Sequence, residues 1–64
     1  MKIWKHGTKV KLNHGHEGII TTVRIIDTLV EYTINYYDGK YCCDIFHEFE
    51  FSVEEGEKEE IGFR

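Results

Sequence analysis

Val30-Glu31-Tyr32-Thr33-Ile34-Asn35-Tyr36-Tyr37, then Asp38-Gly39, then Lys40-Tyr41-Cys42-Cys43-Asp44-Ile45-Phe46, is the stretch around which this chain is organised. Its first arm alternates apolar and polar residues, the period of a half-buried strand. Val30, Tyr32, Ile34 and Tyr36 share one face and are assigned to the core. Glu31, Thr33, Asn35 and Tyr37 share the other. Asp-Gly is a strong short hairpin signal, because the turn needs backbone that few other pairs adopt cheaply. The expected hairpin therefore has strands over residues 30–37 and 40–44.

Upstream, Gly18-Ile19-Ile20-Thr21-Thr22-Val23-Arg24-Ile25-Ile26 has strand composition but imperfect alternation. A bulge at Thr21-Thr22 places Ile20, Val23 and Ile25 together on the core side and turns Arg24 outward. Before it, Asn13-His14-Gly15-His16-Glu17-Gly18 has the glycine spacing of a bent loop. Lys9-Val10-Lys11-Leu12 alternates cleanly, with Val10 and Leu12 inward and both lysines in water. Trp4 precedes a turn at Gly7 and is expected to pack on the domain there.

Downstream, Ile45-Phe46-His47-Glu48-Phe49 is too short for an ordinary helix and reads as a single helical turn. Residues 50–53 form the last short strand, with Phe51 and Val53 inward. From Glu54 the composition shifts to Glu54-Glu55-Gly56-Glu57-Lys58-Glu59-Glu60. Residues 54–64 read as a solvated acidic tail, since such composition cannot bury enough apolar surface to order itself. A second reading has Ile61 and Phe63 adding a strand edge or docking on another subunit. The domain is thus assigned to residues 1–53 and the tail to 54–64.

Size narrows the function classes. A single domain of 64 residues buries only roughly 60% of the surface its unfolded chain exposes, which leaves no room for a deep active site. Apolar residues make up 41%, enough for one compact core, and proline is absent. Two adjacent cysteines, Cys42 and Cys43, make no disulfide framework. Met1 is followed by Lys2-Ile3-Trp4-Lys5-His6, with no apolar run of signal-peptide or membrane-span length. The expected setting is therefore the cytoplasm, with no membrane partner. The net charge of −4 conceals an asymmetry. Lys2, Lys5, Lys9 and Lys11 open the chain, whereas five of its acidic groups fall after residue 53. An acidic chain disfavours generic phosphate-backbone binding, which counterion release from basic patches drives.

No catalytic constellation emerges. Cys42 or Cys43 near His47 lacks an orienting third group and a pocket. Asp38 is explained by its turn, and Gly15-x-x-Gly18 precedes a strand, whereas phosphate-cradling loops open a helix. His6, His14, His16 and His47 with the adjacent cysteines lack the paired spacing of a structural zinc site. Neither metal nor cofactor is expected, and the chain is read as no enzyme. The aromatics are more informative. Most of the nine fill the core, but Tyr37 and Tyr41 flank the turn and are expected outside, with Trp4 or Phe49 nearby. Such rings stack on bases, cage cations or anchor protein contacts.

Trp4-x-x-Gly7-x-x-Val10, Gly15-x-x-Gly18-x-Ile20-x-x-Val23, Tyr32-x-Ile34-x-Tyr36-x-Asp38-Gly39 and Phe46-x-Glu48-Phe49-Glu50-Phe51 together resemble the SH3-like barrels of the KOW and Tudor kind. They are also similar to short, uncharacterised barrel proteins of bacteria and phages. The resemblance spans residues 3–53. It implies a small five-stranded all-β barrel with a helical turn before the last strand. KOW modules bind RNA or protein surfaces; Tudor modules bind methylated side chains. The glycine loop departs from KOW practice, carrying His14, His16 and Glu17 in place of a basic cluster.

The expected function is a small non-catalytic protein-binding module, such as a phage or mobile-element adaptor or inhibitor of a host protein, acting in the host cytoplasm. Its contact residues are Tyr37, Lys40, Tyr41 and Trp4. One alternative is a KOW-like nucleic-acid binder using Lys5, Lys9 and Lys11. Another is a self-assembling structural protein, which leaves a homo-oligomer open.

Overall fold

The computed structural model describes residues 2–61. Its strands are β1 Lys2–Trp4, β2 Lys9–Leu12, β3 Glu17–Ile26, β4 Leu29–Tyr37, β5 Tyr41–Phe46, β6 Phe51–Glu55 and β7 Lys58–Glu60. All pair antiparallel. Five form one sheet in the order β5-β4-β3-β2-β6, and β1 with β7 forms a separate two-stranded ribbon. The domain is all-β, and among the described residues a 3-10 turn at Glu48–Glu50 is its one helical element. Among the described residues β5 and β6 end the sheet and no ladder joins them, so the expected closed barrel is not seen there.

The core lies on the face predicted by the hairpin's alternation. Val10, Leu12, Ile20, Tyr32, Ile34 and Phe51 are buried together, with Trp4, Val23, Val30, Tyr36, Phe46 and Val53 packed against them. Fully burying an aliphatic of this size contributes about 1.5–3 kcal/mol. The bulge in β3 falls where its sequence requires it. Ile20 lies opposite Ile34, and the next partners are Thr22 and Thr33, which leaves Thr21 extra. Without that residue, strict alternation from Ile20 would carry Thr22 and Arg24 inward. With it, Val23 packs on the core and Arg24 stays exposed, facing Glu31 on β4. Thr21 Oγ1 donates to the Thr33 carbonyl at 3.3 Å and closes the irregularity.

The boundaries around β5 and the helical turn differ most from expectation. β5 starts at Tyr41, one residue later than expected, and continues through Ile45 and Phe46. Phe46 pairs with Tyr32 and packs on the core, so the ladder outlasts the local helical signal. The reversal centres on Gly39, whose φ of +74° suits glycine, and Asp38 N–H donates to the Lys40 carbonyl across it at 2.9 Å. The helical turn is correspondingly shorter and includes Glu50. Glu50 Oε1 accepts from His47 N–H at 2.8 Å and lies 3.1 Å from His47 Nδ1, a capping box.

Residues 54–60 are exposed, as a solvated tail would be, but they are strand and a short connection where a weakly held tail was expected. Glu54 and Glu55 extend β6, and Lys58–Glu60 pairs with β1. Specific contacts hold this acidic segment. Lys58 Nζ lies 2.8 Å from Glu48 Oε1 and 5.0 Å from the centre of the Trp4 ring. Lys5 N–H donates to the Glu57 carbonyl at 3.1 Å. Gly56 lies so close to Thr8 that a Cβ there would fall 2.6 Å from Thr8 Oγ1. The same ribbon explains why Ile3, not assigned to the core from sequence, is buried. Phe63, the other half of the alternative edge reading, lies outside the described residues.

Candidate functional site: an exposed aromatic cleft

The face of the sheet opposite the core is built from the outward half of each strand. Along one cross-strand row Lys9 pairs with Ile19, Ile19 with Asn35, and Asn35 with Cys43. Tyr37 and Tyr41 pair at the hairpin tip. Their rings meet edge to face, with centroids 5.1 Å apart and planes at 69°. Tyr37 is 60% exposed, Tyr41 90% and Ile19 45%. These side chains line an open cleft of about 480 Å³ together with Lys9, Asn35 and Glu17. Most of its exposed lining is apolar surface, bordered by the polar side chains of Thr21 and Glu54 as well.

The structure divides the expected contact residues. Tyr37 and Tyr41 line the cleft; Lys40 is exposed beside them at the tip. Trp4 belongs elsewhere: it is half-buried against the core, its N–H donates to Tyr32 Oη at 3.1 Å, and Lys58 lies over its ring. Phe49 is exposed and stacks on His47 with planes 6° apart. Of the lysines, Lys9 lines the cleft and Lys11 follows on the same strand face. Lys5 is engaged by Glu57, 3.6 Å from its carboxylate. The three therefore form no single uncommitted patch.

Ile19 is the cleft residue that sequence reading missed. The signal was available, because the bulge that sends Ile20 inward leaves Ile19 outward. Ile45, 54% exposed, was obscured by its assignment to a helical turn.

The histidine loop contributes structure at the opposite side of the tip. His16 Nε2 lies 2.9 Å from Asp38 Oδ1, and the rings of His14 and His16 gather against Tyr36. Tyr36 O–H donates to Asp44 Oδ2 at 2.6 Å. That bond to a carboxylate raises the Tyr36 phenol well above its ordinary range. Among the described residues, no cluster of three or more His, Cys, Asp or Glu side chains is arranged to hold a metal ion. Cys42 is half-buried and Cys43 exposed, both as free thiols. No helix among the described residues is long and apolar enough to cross a membrane. No family model, curated protein or solved structure matches this chain.

Proposed function

We propose that this chain is a small non-catalytic protein-binding module, of SH3-like kind, whose contact face is the aromatic cleft. The observation that carries the reading is the exposed edge-to-face pair of Tyr37 and Tyr41 beside exposed Ile19. Rings left in water at this level contribute nothing to the core, whereas they are effective anchors in protein interfaces. Lys9 at the margin suits a partner that presents an apolar side chain flanked by a carboxylate. The reading extends to a host-cell protein as that partner, met by a phage- or mobile-element-encoded adaptor or inhibitor in the cytoplasm. The cleft's own Glu17, together with the net charge of −4, weighs against a nucleic-acid backbone in the same place.

The test is affinity capture from host extract, identification of the bound protein, and titration of that purified protein against this chain. Tyr37→Ala and Tyr41→Ala should each weaken binding at least tenfold while circular dichroism stays unchanged. Binding indifferent to both substitutions would overturn the reading. So would a salt-sensitive gel shift with RNA or DNA lost in the Lys9→Glu, Lys11→Glu double variant, which would favour the nucleic-acid alternative.

A further inference from the structure

β5 bonds to β4 on one side and, among the described residues, has no neighbouring strand on the other. The bond between Asp38 N–H and the Lys40 carbonyl fixes the phase of the ladder. Counting along the register from that narrow pair, Cys42, Asp44 and Phe46 exchange bonds with Tyr36, Ile34 and Tyr32. Tyr41, Cys43 and Ile45 therefore turn their backbone N–H and C=O groups to the free edge. Edges of this kind are ordinarily blunted by proline, a bulge or like charges. β5 has no proline and no bulge. Its charges are Asp44 and, just before the strand, Lys40: opposite in sign and placed symmetrically about Cys42.

We propose that β5 pairs antiparallel with β5 of a second copy of this chain, about a two-fold axis at Cys42. Few registers are open, because outward-bonding residues must meet outward-bonding residues. Centring on Cys43 leaves Lys40 facing the partner's Phe46 and Asp44 facing the partner's Cys42. Centring on Tyr41 sets Asp44 against the partner's Asp38, a like-charge pair directly opposite, which is destabilising. Centring on Cys42 sets Lys40 against Asp44 of the partner subunit and Asp44 against the partner's Lys40. Tyr41 and the partner's Cys43 then exchange backbone bonds. Tyr36 occupies only one oxygen of Asp44, Oδ2. The contact is isologous and closed, so it yields a dimer and not a fibre. It makes one continuous sheet whose outer face joins the two aromatic clefts. It depends on the β5 edge alone and stands independently of the protein-binding reading.

The register has a chemical consequence. Cys42 and its symmetry mate form a non-hydrogen-bonded pair, in which α-carbons sit about 4.5 Å apart, within disulfide reach. Diamide, accepting two electrons and two protons, should therefore link two chains through Cys42. In sedimentation velocity at high micromolar concentration under reducing conditions, the wild-type chain should have the mass of two chains. Lys40→Glu should lower it to one. Adding Asp44→Lys to that variant exchanges the charges and should restore two. The diamide cross-link should persist in Cys43→Ser and vanish in Cys42→Ser. A one-chain mass at every concentration overturns the proposal, as does a dimer unaffected by Lys40→Glu or a cross-link that survives in Cys42→Ser. If the Asp44 variant fails to fold by circular dichroism, Lys40→Glu and the cysteine pair decide, since neither removes a core side chain.

Discussion

Removing one oxygen from Tyr32 tests how the N-terminal ribbon is tied to the sheet. The Tyr32 side chain is fully buried, and its Oη accepts the Trp4 N–H at 3.1 Å. Tyr32→Phe keeps the ring and its edge-to-face contact with Phe51, whose centroid lies 5.4 Å away. What it removes is the acceptor of a main-chain donor that is half-withdrawn from water. Leaving such a donor unsatisfied costs about 1–3 kcal/mol. Trp4 is not fully buried, and water reaching its N–H would recover part of this, so the expected loss is about 1–2 kcal/mol. A chain of this length has a total stability of roughly 3–10 kcal/mol, so the loss is a sizeable fraction. The melting temperature should fall by about 4–8 °C per kcal/mol. Urea unfolding followed by the fluorescence of Trp4, the only tryptophan, measures it. The m-value should not change, because the surface exposed on unfolding is the same. Amide exchange at Trp4 should accelerate more than exchange in β3 and β4. Stability within a few tenths of a kcal/mol of wild type, or unchanged protection at Trp4, would mean that the Tyr32 hydroxyl does not tie β1 to the sheet.

Gly56→Ala should destabilise by about 1–3 kcal/mol through overpacking against Thr8 and should raise amide exchange first in β1 and β7. Hydrogen exchange by mass spectrometry checks the order. Acid should weaken the fold: the His47 N–H bond holds the Glu50 carboxyl below its ordinary range, so its contribution is present above the unfolded value and lost as pH falls through the folded one. Glu50→Gln should flatten that acid limb in urea melts run across pH. Alkali should weaken it from the other side. Burial raises Tyr32, and the Asp44 bond raises Tyr36, so their contribution is full below the ordinary tyrosine value and is lost as pH rises beyond it. Tyr36→Phe should remove its share of that alkaline slope. Tyr37→Ala and Tyr41→Ala should shift stability by no more than about 0.5 kcal/mol, the range for surface substitutions, as thermal melts would show.

The hairpin was legible because one rule governs it. Alternation over residues 30–37 commits Tyr32 and Ile34 to the core, and a one-residue slip would have put Glu31 and Thr33 there instead. The bulge in β3 was legible for the same reason, since no unbroken register turns Ile20 and Val23 to the same face; Ile25, expected with them, is only half-buried and lies outside the core cluster. The β1–β7 ribbon was not. Lys2-Ile3-Trp4 is too short to show a period, and Lys58-Glu59-Glu60 has the composition of a solvated run. That pairing spans nearly the whole chain, and tertiary contacts hold it: Tyr32 beneath Trp4, Glu48 on Lys58 and Thr8 against Gly56. Ile45 and Phe46 failed for the converse reason. Their local sequence suggested a turn, and pairing with Thr33 and Tyr32 overrode it.

The same contacts account for the asymmetry of the candidate surfaces. The N-terminal strand and the acidic C-terminal segment satisfy one another in a ribbon, and Lys58, Glu48 and Trp4 bind that ribbon to the domain. Among the described residues, nothing comparable covers the other side of the sheet. There β5 ends the ladder, Tyr41 and Ile45 stand exposed beside it, and Tyr37 and Ile19 continue the apolar surface across β4 and β3. Period-two alternation accounts for where these side chains point, but the core makes no demand that the outward ones be aromatic or aliphatic. Threonine or lysine at 37, 41 and 45 would serve the fold as well and protect the edge better. The two tyrosines and the isoleucine are therefore the part of the hairpin that folding leaves unexplained, and contact with another molecule is the reason we propose for them.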